Sequence, residues 1–297
     1  MLAPIAIFAY NRPQHTQRLL ESLAANPGAF ETPIYVFIDG PKTPEVAPMV
    51  AAVQKCVTEY TDFTALQVIV APYNKGLAGS ILSGVDRVLS EYPTVIVLED
   101  DLVLSPYFLA YMNAGLQCYA GMPQVASIHG YVYPLPCVLP ETFFLQGADC
   151  WGWGTWRDRW VSWEREPTVL YAQLQAEEAW GRFDLQGVSP FKKMLEDCIA
   201  GKNQSWAIRW HASTFLRGQY TLYPGRSLVQ NEGHDGTGVH SFSEKNFDVA
   251  FSETPIQVLP QPIVEDPTIV QALQAYFASF KPPLVKRVLR RLRRVFA

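Results

Sequence analysis

Four short apolar runs, residues 4–9, 34–38, 66–70 and 94–98, alternate with helical patterns along the first third of the chain. A continuous apolar run of this length suits a strand buried on both faces of a parallel sheet. Between the runs, Leu19, Leu20 and Leu23 recur at helical spacing up to the stop at Asn26-Pro27-Gly28. Further helices are predicted over about 44–60 and from Leu77 through Val88. Strand and helix therefore alternate four times, which predicts an α/β chain with right-handed βαβ units and a doubly wound, mostly parallel sheet flanked by helices. Open sheets of this kind bind ligands at the carboxyl edge of their strands. There the chain delivers Tyr10-Asn11-Arg12, Asp39, Asn74-Lys75 and Glu99-Asp100-Asp101.

The last group is the most informative. A hydrophobic strand runs straight into three adjacent carboxylates, which repel one another unless a cation lies between them. Hard oxygen ligands suit Mg²⁺ or Mn²⁺ and leave coordination places for a diphosphate. A solvated turn is the structural alternative. Asp39 similarly has two readings, as a hydrogen-bond acceptor for a ligand or as a turn residue before Gly40-Pro41.

Beyond Pro106 the periodicity changes. Residues 123–163 read as short strands and loops, 168–217 as mostly helical, and 221–240 again as strand and loop. Pro255, Pro260, Pro262 and Pro267 then mark an extended segment. Five of the eight tryptophans crowd between Trp151 and Trp163. Glycines between indoles permit sharp bends and let rings stack on sugar faces, which assigns Trp151, Gly152 and Trp153 to a saccharide site. Trp156, Trp160 and Trp163, at helical spacing, are assigned to the core. The segment from Asn231 to His240 is glycine-rich and carries Asp235 and two histidines, His234 and His240. It reads either as a loop over the ligand edge or as a surface hairpin.

Residues 281–297 hold seven Lys or Arg and no acid, with apolar residues at helical spacing. Such a basic amphipathic helix suits an anionic membrane surface, at about 1 kcal/mol per basic residue. A terminal helix docked on its own domain is the alternative. The formal charge of -4 gives no reason to expect nucleic acid, and 48% hydrophobic against 18% charged residues excludes disorder. Five dispersed cysteines without a CxxC pair suggest reduced thiols in a cytoplasmic setting, and the first residues lack a signal-peptide pattern.

Ala9-Tyr10-Asn11-Arg12-Pro13, Ile38-Asp39 and Val97-Leu98-Glu99-Asp100-Asp101-Leu102, through Ser105-Pro106-Tyr107-Phe108, occur in the order found in GT-A glycosyltransferases. The chain resembles bacterial family 2-type sugar transferases and the N-acetylglucosaminyltransferase I branch, well over residues 3–110 and in patches to about 245. The resemblance implies a GT-A (nucleotide-diphospho-sugar transferase) fold. Residues 1–245 would form one catalytic domain, with 1–110 binding the nucleotide-sugar and 111–245 the acceptor, before the extended segment 246–280.

The same resemblance implies a donor site of Ala9, Tyr10, Asn11, Arg12, Asp39, Asn74, Lys75, Glu99 and Asp100. Asp101 would hold the metal that bridges the donor's phosphates, with His240 or His234 as a further ligand. Asp39 would accept from the base N3–H, an imide that needs such an acceptor and favours uracil or thymine. An inverting transfer needs a carboxylate base. Relatives place an aspartate beside a tryptophan at the start of a later helix, but Ser205-Trp206-Ala207-Ile208 has no acid there. Asp197, Glu196 and Asp235 are the candidates left.

The implied activity is metal-dependent transfer from a UDP- or dTDP-sugar to a glycan or lipid-linked saccharide, peripheral on the inner face of a bacterial membrane. Two rivals stand beside it. One is a catalytically silent saccharide- or nucleotide-sugar-binding protein, favoured by the missing base. The other is a sugar nucleotidyltransferase, which would need a Gly-rich basic loop after its first strand that this chain lacks.

Overall fold

The computed structural model describes residues 2–233 and 247–280. The first half runs β1 (Ile5–Ala9), α1 (Pro13–Ala24), β2 (Ile34–Ile38), α2 (Ala47–Thr58), β3 (Leu66–Val70), α3 (Gly76–Glu91), β4 (Thr94–Glu99), β5 (Leu102–Leu104) and α4 (Phe108–Cys118). The second runs β6 (Val125–His129), β7 (Thr142–Gln146), β8 (Trp153–Trp156), α5 (Arg157–Trp160), α6 (Pro167–Ala176), α7 (Trp180–Phe183), α8 (Phe191–Ile199), α9 (Trp206–Leu216), β9 (Tyr220–Pro224), β10 (Val229–Asn231) and α10 (Pro267–Ser279).

Eight strands form one sheet in the order β3-β2-β1-β4-β8-β6-β9-β7. The four strands read from the sequence are its parallel half, with β1 between β2 and β4. β8 runs antiparallel to both β4 and β6, and β7 antiparallel to β9. The architecture is the mixed α/β sandwich of a GT-A fold.

Alternation along the strands sorts the core onto two faces. Ile5, Ile7, Ile34 and Val36 pack with Leu19, Leu20 and Leu23 of α1 and Val50 and Val53 of α2. Ala6, Phe8, Tyr35 and Phe37 face Ile81, Val85 and Val88 of α3 instead. Because both faces are covered, all five residues of β1 and of β2 are buried. That is why these strands read as unbroken apolar runs.

One expectation needs correction. Residues 267–279 are helical, not extended, and the helix starts with Pro267 in its first turn and the Asp266 side chain accepting from Thr268 N at 2.7 Å. A proline in the first helical turn costs no hydrogen bond. Residues 248–264 contain no named helix or strand, as expected of an extended segment. Among the described residues no helix is long and apolar enough to cross a membrane, and all five cysteines are free. The basic segment 281–297 lies outside the described residues.

Candidate functional site

The carboxyl ends of β1 and β4 are tied together by charge. Arg12 precedes Pro13, which opens α1, and its Nη2 lies 2.5 Å from Asp100 Oδ1 and 2.9 Å from Asp101 Oδ2. The backbone N–H of Tyr10 donates to Asp100 Oδ2 at 3.2 Å. Desolvation pushes Asp100 up to about 6 even though Arg12 pulls the other way. Glu99 rises further, to about 8, through desolvation and then the charges of Asp101 and Asp100. One cation shared among three acids is the arrangement that repulsion between them demands.

A second strand pair closes over the last acid. β5 and β10 pair antiparallel, which brings Asn231 beside Leu102. Glu232 N–H then donates to the Asp101 carbonyl at 2.8 Å, and Gly233 N–H to Asn231 Oδ1 at 2.7 Å. A Cβ on Gly233 would lie 2.3 Å from Asp101 Oδ2, so any side chain there would have to displace that carboxylate. Arg18 of α1 holds Glu232 at 2.7 Å. Sequence reading missed this seat on Asp101, since the pairing joins residues more than a hundred positions apart.

Asp39 is buried and fully engaged. Its Oδ1 accepts from Gly40 N and Lys75 N at 2.9 and 2.8 Å, and its Oδ2 from Asn74 Nδ2 and Gly76 N at 3.0 and 2.9 Å. These four bonds use the acceptor capacity of a carboxylate. They also satisfy amides at the start of α3, where a negative charge is favoured. These bonds are those of the turn reading of Asp39, and accepting from a base N3–H as well would require one of them to be shared or given up. Asn74 belongs to the same turn. Lys75 reaches along α3 toward Ser83 Oγ at 3.3 Å and not toward the carboxylates. The Tyr10 hydroxyl accepts from Lys42 N at 3.0 Å, and Asn11 and Ala9 complete the β1 end beside it.

The tryptophan assignment divides differently from expectation. Trp151 is half-buried, edge-on to Tyr131 at 4.8 Å and to Phe247 at 5.4 Å. Its backbone N–H donates to His129 Nε2 at 3.0 Å. Gly152 takes φ +66, and a Cβ there would meet Val229 at 2.7 Å. Trp153, expected at the saccharide site, is instead fully buried, stacked on Trp206 and packed with Trp160 and Trp210. It joins Trp160 and Trp163 in the core, because β8 inserts between β4 and β6 and turns that side chain toward α9.

The candidate bases scatter. Asp197 on α8 is held by Lys193 and, at 3.6 Å, by Lys202, and the Lys193 hydrogen bond keeps its carboxyl below the usual range. Asp197 thus sits in a lysine cluster, and among the described residues neither it nor Glu196 hydrogen-bonds a residue of the carboxylate edge. Asp235, His234 and His240 lie outside the described residues. One carboxylate absent from the expectations stands out: Asp149, whose Oδ2 accepts from Tyr133 Oη at 2.6 Å. Its place at the head of the Trp-Gly loop was the available signal.

Among the described residues no group of three or more His, Cys, Asp or Glu is set to hold a metal. Asp101 offers hard oxygen at the ligand edge, which suits a metal whose shell a diphosphate would help to complete.

Residues 5–134 match the family model described as glycosyl transferase family 2. The matched segment spans β1 through β6, including the carboxylates at the end of β4. No curated protein matches it. Among solved structures, it is similar to the mannosyltransferase PcManGT from Pyrobaculum calidifontis in complex with GDP-Man and Mn²⁺, at 17% identity and TM-score 0.34, over 45% of this chain and 36% of that one. S. aureus TarS residues 1–349 in complex with UDP gives 17% identity and TM-score 0.32, over 47% and 38%. A Thermus thermophilus protein described as mannose-1-phosphate geranyltransferase gives 12% identity and TM-score 0.40, over 79% and 77%. The chain thus spans 36% and 38% of the first two relatives' lengths.

Proposed function

We propose, for a chain carrying a glycosyltransferase family 2 segment on a GT-A fold, that it moves a sugar from a UDP- or dTDP-sugar to a glycan or lipid-linked saccharide, with inversion. The observation that carries this reading is the joint of β1 and β4, where Arg12, Asp100 and Asp101 meet at the ligand edge. The donor diphosphate lies there, with Tyr10, Asn11, Arg12 and Glu99 around it. Asp101, with His240 or His234, would hold Mn²⁺ or Mg²⁺, which neutralises charge on the departing diphosphate. Arg12, whose guanidinium fork suits phosphate oxygens, would pair with the donor diphosphate at this edge. The acceptor lies on the second half, against the exposed part of Trp151. The basic segment 281–297 brings the enzyme to an anionic membrane surface where a lipid-linked acceptor would be found.

Calorimetric titration of UDP and dTDP, with and without Mn²⁺, tests the donor site against wild type and Asp101→Ala. Metal-dependent binding that disappears in the variant is the expected result. No binding of either nucleotide would overturn the assignment. The silent-binder reading keeps one supporting observation, the lysine-held Asp197, and predicts nucleotide binding without release of UDP from any donor.

A further inference from the structure

Inverting transfer needs a carboxylate facing the carbon that is attacked, and several of the acids near the donor edge or proposed as bases are committed elsewhere. Asp100 and Asp101 share Arg12, Asp39 accepts four hydrogen bonds, Asp86 is clamped by Arg165 at 2.8 Å, and Asp197 is held by two lysines. Asp149 differs from all of them. Among the described residues it has no ion-pair partner. It accepts from Tyr133 Oη at 2.6 Å and from Cys150 N at 2.9 Å, and the Cys150 thiol also hydrogen-bonds it. A carboxylate has about four lone-pair positions, so one remains for an incoming hydroxyl. The residue is half-buried, neither sealed in the core nor loose on the surface.

Its position points toward the donor edge. The β4–β8 ladder ends at Val97 and Trp153, so the chain before Trp153 runs beside the residues that end β4. Gly130 N–H fixes that stretch by donating to the Gly152 carbonyl at 2.7 Å. Cys150 lies between the two groups of acids: after burial, Asp149, Glu99 and Asp101 all raise its thiol pKa. On the other side, the imidazoles of His129 and His211 are within electrostatic reach of Asp149, and burial lowers both, which favours their neutral forms. Nothing cationic among these neighbours cancels the carboxylate. Two residues on, Trp151 presents a partly exposed indole, a surface for the apolar face of a sugar.

We infer that Asp149 is the catalytic base of this site, an inference resting on the donor-site reading above. Its free lone pair takes the acceptor hydroxyl proton while the acceptor oxygen bonds to the anomeric carbon. The bond from that carbon to the diphosphate oxygen breaks, and its electron pair leaves with the nucleoside diphosphate. Tyr133 is a positioning residue that holds the carboxylate toward the acceptor. Asp149 thereby replaces the acid missing beside Trp206.

The test uses the full chain as wild type, Asp149→Asn, Asp149→Ala and Tyr133→Phe. UDP affinity is measured by calorimetry with Mn²⁺. Turnover is measured as UDP released from UDP-glucose, UDP-galactose and UDP-N-acetylglucosamine, with water as the acceptor. Asp149→Asn should keep UDP affinity within about twofold and lose roughly 100-fold or more in turnover, the range of a lost general base. Added formate should restore part of the turnover of Asp149→Ala, and Tyr133→Phe, which keeps the carboxylate, should lose less than about tenfold. Wild-type turnover in Asp149→Asn overturns the inference. So does an equal loss in Asp149→Asn and Tyr133→Phe with equal falls in melting temperature, which would mark a structural role. A wild type that binds UDP but releases none also overturns it. A wild type that binds neither UDP nor dTDP sinks the donor-site reading instead, and this inference with it.

Discussion

Arg12 Nη2 lies 2.9 Å from Asp101 Oδ2, so the carboxylate expected to hold a metal already faces a cation. The same nitrogen also serves Asp100, which makes Arg12 a counter-ion for the donor edge built into the chain itself. A divalent ion arriving at Asp101 would compete with this guanidinium, and a diphosphate arriving with the metal would give the guanidinium a new partner. On the proposed donor site, metal and nucleotide binding would therefore be coupled through one side chain.

Arg12→Ala should separate the two. Without the guanidinium, Asp100 and Asp101 repel each other unrelieved, so Mn²⁺ alone should bind about tenfold more tightly. UDP in the absence of metal should lose its measurable affinity, because no cation remains for its phosphates. Calorimetry with Mn²⁺ alone, UDP alone and both together checks this. Weaker Mn²⁺ binding in the variant would mean that Arg12 does not compete for Asp101.

Glu99 makes stability depend on pH. Its carboxyl keeps a proton up to about pH 8, while an unfolded chain releases it near the ordinary glutamate value of 4.5. Between these values the folded protein binds more protons than the unfolded one, so stability falls as pH rises through that window. Glu99→Gln stays neutral and should flatten the fall. Metal-free melting curves at pH 5, 6.5 and 8 (values about evenly spaced across the window) measure it. A wild type whose melting temperature changes no more than the variant's would refute the raised pKa.

Gly233 tests how closely the β10 end is fitted to the acids. Alanine there places a methyl 2.3 Å from Asp101 Oδ2, and the Asp101 side chain must move to admit it. Overpacking of this kind costs about 1–3 kcal/mol. Nucleotide binding in the presence of Mn²⁺ should weaken by roughly tenfold or more if Asp101 is displaced from its working position. Unchanged binding would show that Asp101 can shift freely without loss.

The parallel half of the sheet was legible because β1, β2 and β4 are buried on both faces and carry no polar interruption before the ligand edge. The polar ends of those strands were legible for the same reason. What could not be read were the properties set by distant partners. β8 is four residues, Trp153 to Trp156, and only its pairing with β4 and β6 places it inside the sheet. α10 was hidden among prolines, although Asp266-Pro267 is itself a helix-start signal. Asp39 reads equally well as ligand or turn until the amides of Lys75 and Gly76 are seen on it. Asp149 draws its significance from Tyr133 and from carboxylates on another strand, none of which lies near it in sequence.

The two indoles of the Trp-Gly loop should behave differently under substitution, although they stand two residues apart. Trp153 is fully buried among Trp160, Trp206 and Trp210, and truncating such a side chain costs about 3–5 kcal/mol. In a chain of this size that corresponds to a fall in melting temperature on the order of 10 °C. Trp151 is partly exposed and packs edge-on against Tyr131 and Phe247, so Trp151→Ala should lower the melting temperature less. Its larger effect should fall on turnover with a saccharide acceptor, as a raised KM, while UDP affinity stays near wild type. Thermal melts of both variants beside UDP titrations separate the roles. Equal destabilisation by the two substitutions would place Trp151 in the core with its neighbour and remove the aromatic platform from the acceptor side.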